Sequence, residues 1–446
     1  MLAEKHTRVD PEFAAAPDPS ANSVAVFPAL RSLPANLKRI IAHPDYAAAD
    51  QDPHFFDPGP ASFHSPLLIP GMEAAVDILR AVVESKGRIL VLGDRDVDGV
   101  SSTASLGNFL RDRHQKKGGG LELIVSDDGD DYGLSGALYD RIREGDADLV
   151  ILLDMGSSHG PEVNELLRRG KQVIILDHHQ LHDRIPDAAL PGLAFVNPMR
   201  DEDVVCALEH DGKIATVGLV FKLLLAYGLS FTKEWKRAFY FEDPAAAAGA
   251  VAAYRCGCFL GRFADLAAGQ ASFPDLEWCA LTDSYTVAPD DLAFFTTPPE
   301  KNESEGAAQA AGGAGPKGVS TFDRHALIAG KVVLAYMIRS RPRLLDFVQR
   351  TADLAAVGII TDMVPLVGEN RALVRLGIGQ SGFARRGERP YSPGYEALIG
   401  ALGLPGDRIV SRDLSWSIGP ALNAAGRMGN TRLALNLLTS EDPAAA

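Results

Sequence analysis

Between residues 87 and 198 short apolar runs alternate with amphipathic stretches. The runs at 88–93, 121–126, 148–153, 172–176 and 193–196 have the length and composition of buried strands. Helices fit between them at 100–114, 134–144 and 160–169, and a further one follows at 214–227. That alternation predicts an α/β fold, a parallel sheet with crossover helices.

Outside this core the pattern changes. Residues 1–32 are rich in Ala and Pro, and loose order is expected of them. Leu33–Ile41 reads as a short amphipathic helix. Pro70-Gly71 opens a helix through Val83 that puts Met72, Ala75, Val76, Leu79, Val82 and Val83 on one face. Residues 228–350 read as a mainly helical insertion with a low-complexity loop at about 298–318. The α/β pattern resumes near Ala352 with a helix or strand into Asp362. A short strand at Arg371–Leu376, a helix at 392–402 and the start of another near Arg432 follow. The expected division is an N-terminal segment with lead-in helices (1–80), the α/β domain's first part (81–227), the insertion (228–350), and the domain's remainder with the start of a linker helix (351–440). The last helix has no stop signal and looks cut short at Ala446.

Composition narrows the class. A chain of 446 residues can bury a large core in two or more domains. It has no run of about 18 apolar residues, so no membrane span is expected. Met1–Arg8 is polar and unlike a signal peptide, which points to the cytoplasm. Cys206, Cys256, Cys258 and Cys279 lack zinc-finger spacing and read as reduced thiols. A formal net charge of −14 argues against strong non-specific binding to nucleic acid. It leaves room for a nuclease, because bound cations reverse the field where a phosphate sits.

Four apolar runs end in a carboxylate. Asp94, Asp96 and Asp98 follow Arg88–Leu92, and Asp154 follows Leu149–Leu153. Asp177, with His178 and His179 after it, follows Lys171–Leu176, and Asp362 follows Leu354–Ile360. The carboxyl ends of strands form the ligand crevice of an open α/β sheet. Oxygen and imidazole ligands converging there suit Mn²⁺ or Mg²⁺ better than a soft metal. Asp94, Asp96 and Asp98 stand at alternate positions, which in extended backbone face one side, and Gly99 permits a tight turn into a helix. The competing reading is an acidic turn with a helix cap. Asp154-Met155-Gly156-Ser157 reads more simply as a strand end and cap, and Thr361–Pro365 is weak alone. Gly419–Arg427 reads as a loop, either a connector or a phosphate clamp through Arg427. His114 and His182 are expected in solvent, and Trp278 and Trp416 in a core or interface; His159 follows Asp154 closely enough to approach its site.

Taken in order, GDRDVDG, LLDMGSS, LDHH, TDMVP and GPALNAAGR resemble the DHH phosphoesterase superfamily, over roughly residues 33–227 and 351–440. Within it, the Pro70–Ala75 lead-in and the GPALNAAGR segment are similar to the RecJ family of single-strand-specific 5′→3′ DNA exonucleases, enzymes of DNA repair and recombination. The resemblance implies two Mn²⁺ or Mg²⁺ ions held by Asp94, Asp96, Asp98, Asp154, His178 and Asp362. Asp177 would orient the His pair, His179 would touch the scissile phosphate or its metal, and Ser157, Asn423 and Arg427 would hold substrate. Three departures stand out. The family's C-terminal domains are not found in this chain, and the 228–350 insertion exceeds the usual linker. Ser126-Asp127-Asp128-Gly129-Asp130-Asp131-Tyr132 replaces an Arg-bearing segment. The alternatives are a phosphoesterase of short oligonucleotides or small nucleotides (nanoRNase-like) and a non-catalytic scaffold among repair-complex proteins.

Overall fold

The computed structural model describes residues 59–442, apart from 128–132, 135, 209–211, 243–248, 285–323, 382–391 and 406–408. The expected Leu33–Ile41 helix and the 298–318 loop lie outside the described residues. After helix α1 (Met72–Ser85) come strands β1 (Arg88–Gly93), β2 (Gly120–Val125), β3 (Leu149–Leu153), β4 (Gln172–Leu176) and β5 (Leu193–Val196). All pair in parallel in the order β2-β1-β3-β4-β5. The chain runs from β1 out to β2 and returns on the other side to β3. A crevice therefore opens between the carboxyl ends of β1 and β3.

The crossover helices are α2 (Val97–Arg113), α3 (Gly136–Glu144) and α4 (Gly160–Arg168). Side chains alternate across the strands: Ile89 and Val91 join α1 and α2, while Leu90 and Leu92 join Ile142 of α3 and Val163 of α4. Both faces are covered, which is why β1, β3, β4 and β5 are apolar past their first residues, while the edge strand β2 carries an exposed Glu122. Helix α5 (Thr216–Ser230) is buried along nearly its whole length.

The region read as a mainly helical insertion does carry helices, α6 (Leu266–Ser272) and α7 (Arg324–Arg339). It also holds a sheet that its pattern did not announce. Strands β6 (Arg237–Glu242), β7 (Val251–Arg255), β8 (Cys258–Phe263) and β9 (Glu277–Ala280) pair in the order β8-β7-β6-β9. Then come α8 (Pro342–Thr361), α9 (Gly368–Ser381), α10 (Pro393–Ala401), α11 (Gly419–Arg427) and α12 (Thr431–Thr439).

One open choice is settled here and two sequence expectations change. Asp362 caps the C-terminus of a helix, α8, where a helix or a strand was expected. Arg371–Leu376 lies inside helix α9. A short apolar run buried on several sides looks the same in either conformation, so length alone misassigns it. Gly419–Arg427 is a helix with Pro420 in its first turn, not a loop. Its Gly419 is a packing device: a Cβ there would stand 2.5 Å from Thr361 Cγ2. One single residue also differs. His114 is buried, its Nε2 2.9 Å from Gly87 O and 3.1 Å from Gly120 O. Of the core or interface expected of Trp416, the core does not hold, since it is 78% exposed.

Candidate metal centre

β1, β3 and β4 end in step. Register pairs Gly93 with Leu153 and Leu153 with Leu176, so Asp94, Asp154 and Asp177 stand in a row just past the sheet. Each is fixed by its own backbone N–H. Asp94 donates to Leu153 O (3.2 Å), Asp154 to Leu176 O (3.0 Å) and Asp177 to Val196 O (3.1 Å). Asp154 takes a left-handed backbone (φ 64°), a conformation Asp tolerates better than most residues. Its Oδ1 accepts from Thr216 Oγ1 (3.0 Å), and Asp94 Oδ1 accepts from Ser126 Oγ (3.0 Å).

Asp96 and Asp98 reach the crevice by a different route from the extended alternation expected of them. Asp96 is the N-cap of α2, accepting from Gly99 N (2.9 Å), and Asp98 lies in that helix's first turn. Gly99 lets the turn close on the strand end, since a Cβ there would stand 2.4 Å from Asp94 O. Asp98 is buried and its oxygens accept from Thr216 N (2.7 Å) and Val217 N (3.0 Å), the opening amides of α5.

The His pair divides its work. Asp177 Oδ1 accepts from His178 N (2.8 Å), His179 N (3.2 Å) and His179 Nδ1 (2.7 Å), while Oδ2 accepts from Ser157 N (3.0 Å). It thus orients the ring of His179 and only the backbone of His178. His178 Nε2 lies 3.2 Å from Asp154 Oδ1 and 3.6 Å from Asp362 Oδ2. Neither that nitrogen nor Asp362 Oδ2, both buried, has a hydrogen bond.

The ligand atoms form three overlapping sets: Asp94, Asp96 and Asp154; Asp98, His178 and Asp362; and Asp154, His178 and His179. Within each set they lie within 4.8 Å of one another. The carboxylate oxygens that dominate these sets are the donors that Mn²⁺ and Mg²⁺ favour, and the two orphaned buried atoms are what a cation would satisfy. The residues present therefore fit the metals that the resemblance implied.

Electrostatics agrees with that fit. Asp96 is open to solvent at the crevice, yet desolvation of its carboxyl group, then the Asp154 charge, push it up to about 7. Burial, then Asp154 and Asp362, raise Asp98 well above the usual carboxylate range. Burial and Asp154 lift Asp362 to about 6 against the pull of His178. Burial pulls His178 down, but Asp154, Asp362 and Asp177 prevail and set it at about 9. The Asp177 hydrogen bond lifts His179 to about 9. Asp177 goes the other way: burial raises it, but His179 and Ser157 overcome that and hold it far below the usual range. Crowded carboxylates that hold on to their protons lack a countercharge.

The remaining expected residues are placed as follows. Ser157 is buried, its N–H donating to Asp177 Oδ2 (3.0 Å) and its Oγ accepting from Asn197 Nδ2 (2.9 Å). Asn423 and Arg427 lie one turn apart on α11 and share a face. A Cβ on Gly426 would stand 3.3 Å from Arg95 O, which puts that helix end against the loop between Asp94 and Asp96. His159 and His182 line a hollow of about 300 Å³ with Asp177 and His179. Sequence reasoning missed Thr216 and Ser126, the hydroxyls that hold Asp154 and Asp94. Nothing local distinguishes either from an ordinary helix start or strand end.

Residues 88–252 match the DHH family, N-terminal domain. The single-stranded-DNA-specific exonuclease RecJ of Dickeya dadantii is 25% identical over 378 residues, 84% of this chain and 45% of that protein. The Thermus thermophilus protein of the same name is 40% identical over 97 residues, 21% of this chain and 13% of its own length. A crystal structure of exonuclease RecJ bound to manganese superposes with a TM-score of 0.48 at 22% identity, covering 84% of this chain and 62% of that one. The chain spans less than half the length of these curated relatives, 45% and 44% for the Dickeya and Salmonella proteins. Among the described residues no helix is long and apolar enough to cross a membrane.

Proposed function

We propose that this chain, a RecJ-like protein with a DHH-family domain, hydrolyses phosphodiesters with two divalent cations and removes nucleotides from the 5′ end of single-stranded DNA. The observation that carries the reading is the buried His178 Nε2 and Asp362 Oδ2, both without hydrogen bonds, beside the carboxylates of Asp98 and Asp154. The sets Asp94/Asp96/Asp154 and Asp98/His178/Asp362 share no residue, so each can hold one ion. When bound, such ions supply Lewis acidity toward a phosphate and a nucleophilic water near neutral pH.

The chain's own groups do the rest. Asp177 holds His179 by Nδ1 and as an imidazolium near neutral pH, which leaves Nε2–H as a donor to a phosphate oxygen. Arg427 is exposed, and Asn423 on the same face adds an amide, a pairing that can hold the phosphate of the next nucleotide. The test is hydrolysis with Mn²⁺ of a long 5′-phosphorylated single strand against a dinucleotide, with Asp154→Asn as the control. Mononucleotides released from the 5′ end of the long strand support the proposal. Cleavage of the dinucleotide alone replaces it with the small-substrate reading. Mn²⁺ binding without hydrolysis of either would leave the scaffold reading.

A further inference from the structure

We propose that Asp127 is a positioning residue that docks the Asn423/Arg427 helix against the metal centre and so sets substrate affinity. The inference rests on the reading of those two residues as a phosphate clamp. The sequence offered Asp127 no role: it sits in the acidic segment that stands where an Arg-bearing one was expected. The structure gives it a bond across the molecule. Asp127 Oδ1 accepts from Thr431 N (2.7 Å), the first amide of α12. Asp127 is thereby a helix cap supplied by a residue far away in the chain.

The bond lies in a short chain of contacts. Ser126, one residue earlier, donates from Oγ to Asp94 Oδ1 (3.0 Å) and from its backbone to Gly93 O (3.1 Å). Thr431 is buried, and its Oγ1 lies 3.4 Å from where a Cβ would stand on Gly426. Gly426 in turn abuts Arg95 O. The end of β2 thus holds a metal carboxylate with one residue and the clamp's helix hairpin with the next. The far end of α12 is pinned separately, by Asn108 Nδ2 to Leu438 O (3.1 Å) and an Arg111 guanidinium N–H to Thr439 O (2.7 Å). Loss of Asp127 therefore frees the near end, beside Arg427, without releasing the helix.

The test compares Asp127→Ala, Asp127→Asn and Arg427→Ala on a 5′-phosphorylated single strand with Mn²⁺. Asp127→Ala is expected to raise KM roughly fivefold, the size of a lost cap, with a smaller fall in kcat. Asp127→Asn should restore KM, because Asn caps as well as Asp. Backbone amides of 431–434 should exchange faster in Asp127→Ala than in Asp127→Asn. The double variant Asp127→Ala/Arg427→Ala should be scarcely weaker than Arg427→Ala, as for two residues acting through one contact. An unchanged KM in Asp127→Ala, unaltered amide exchange, or additive losses in the double variant would each overturn the inference. If the wild type hydrolyses no strand at all, the functional reading fails by itself. The exchange comparison and strand binding by anisotropy then still decide whether Asp127 docks the helix.

Discussion

Asp98 and Asp96 stand two residues apart and differ in kind. Asp98 spends both oxygens on the amides that open α5, while Asp96 caps only its own helix. Asp98→Ala should cost about 1–3 kcal/mol, the penalty for orphaning buried amides, read from urea unfolding. Asp154→Asn should leave the fold intact and reduce the rise in Tm that Mn²⁺ gives the wild type, because it takes a ligand from one of the two ion sets. The titration of the cluster has a definite sign. Asp96, Asp362, His178 and His179 hold protons in the folded chain, at about 7, 6, 9 and 9, beyond the pH at which the unfolded chain sheds them. The metal-free protein should therefore lose stability as pH rises from 5 to 9. Below about pH 4 it loses the separate contribution of Asp177, whose folded value is depressed. Mn²⁺ must displace the protons on its own ligands Asp96, Asp362 and His178, so its stabilising effect should be greater at pH 8 than at pH 5.5. Thermal melts with and without the ion check both slopes.

Helices assemble the parts of the site that the sheet cannot. Strand ends supply Asp94, Asp154 and Asp177, but α8 brings in Asp362 and α11 brings Asn423 and Arg427. Helices α5 and α9 are joined by a buried ion pair, Lys222 Nζ to Glu369 Oε2 at 2.6 Å. The His64 backbone closes the node, with its N–H on Glu369 Oε2 (3.3 Å) and its carbonyl on Lys222 (3.1 Å). Glu369→Ala strands a buried ammonium and should cost about 3–5 kcal/mol. Lys222→Met in the same chain should recover much of that, because removing both charges leaves no unpaired ion. Denaturant midpoints of the two variants decide it.

For the molecule as a whole, charge sets the terms of any meeting with nucleic acid. A net charge of −14 repels a polyanion, and the crevice itself is lined with carboxylates. Single-strand binding should therefore require the cations: it should be lost in EDTA at physiological salt and return with Mn²⁺. Anisotropy of a labelled oligonucleotide would show it, and strand binding undiminished in EDTA would place the contact surface away from the metal centre.

The local pattern of the chain was enough for the five parallel strands, their crossover helices and the acidic residues that follow them. Burial on both faces imposes a mostly apolar run whatever the rest of the molecule does, so β1 through β5 could be read directly. The side on which the second crossover returns is not local. It alone puts Asp94 next to Asp154, since nothing between residues 94 and 154 encodes the order β2-β1-β3 in its own periodicity. The conformations of 354–360 and 419–427 were likewise settled by what they pack on. Apolar residues pressed between α5 and α9 satisfy helix and strand patterns alike, and Gly419 reads as a loop until Thr361 is seen against it. The hydroxyls of Thr216 and Ser126, and the long-range cap from Asp127 to Thr431, exist only as contacts between distant segments. A hydrogen bond that spans the fold leaves no trace in the spacing of either partner.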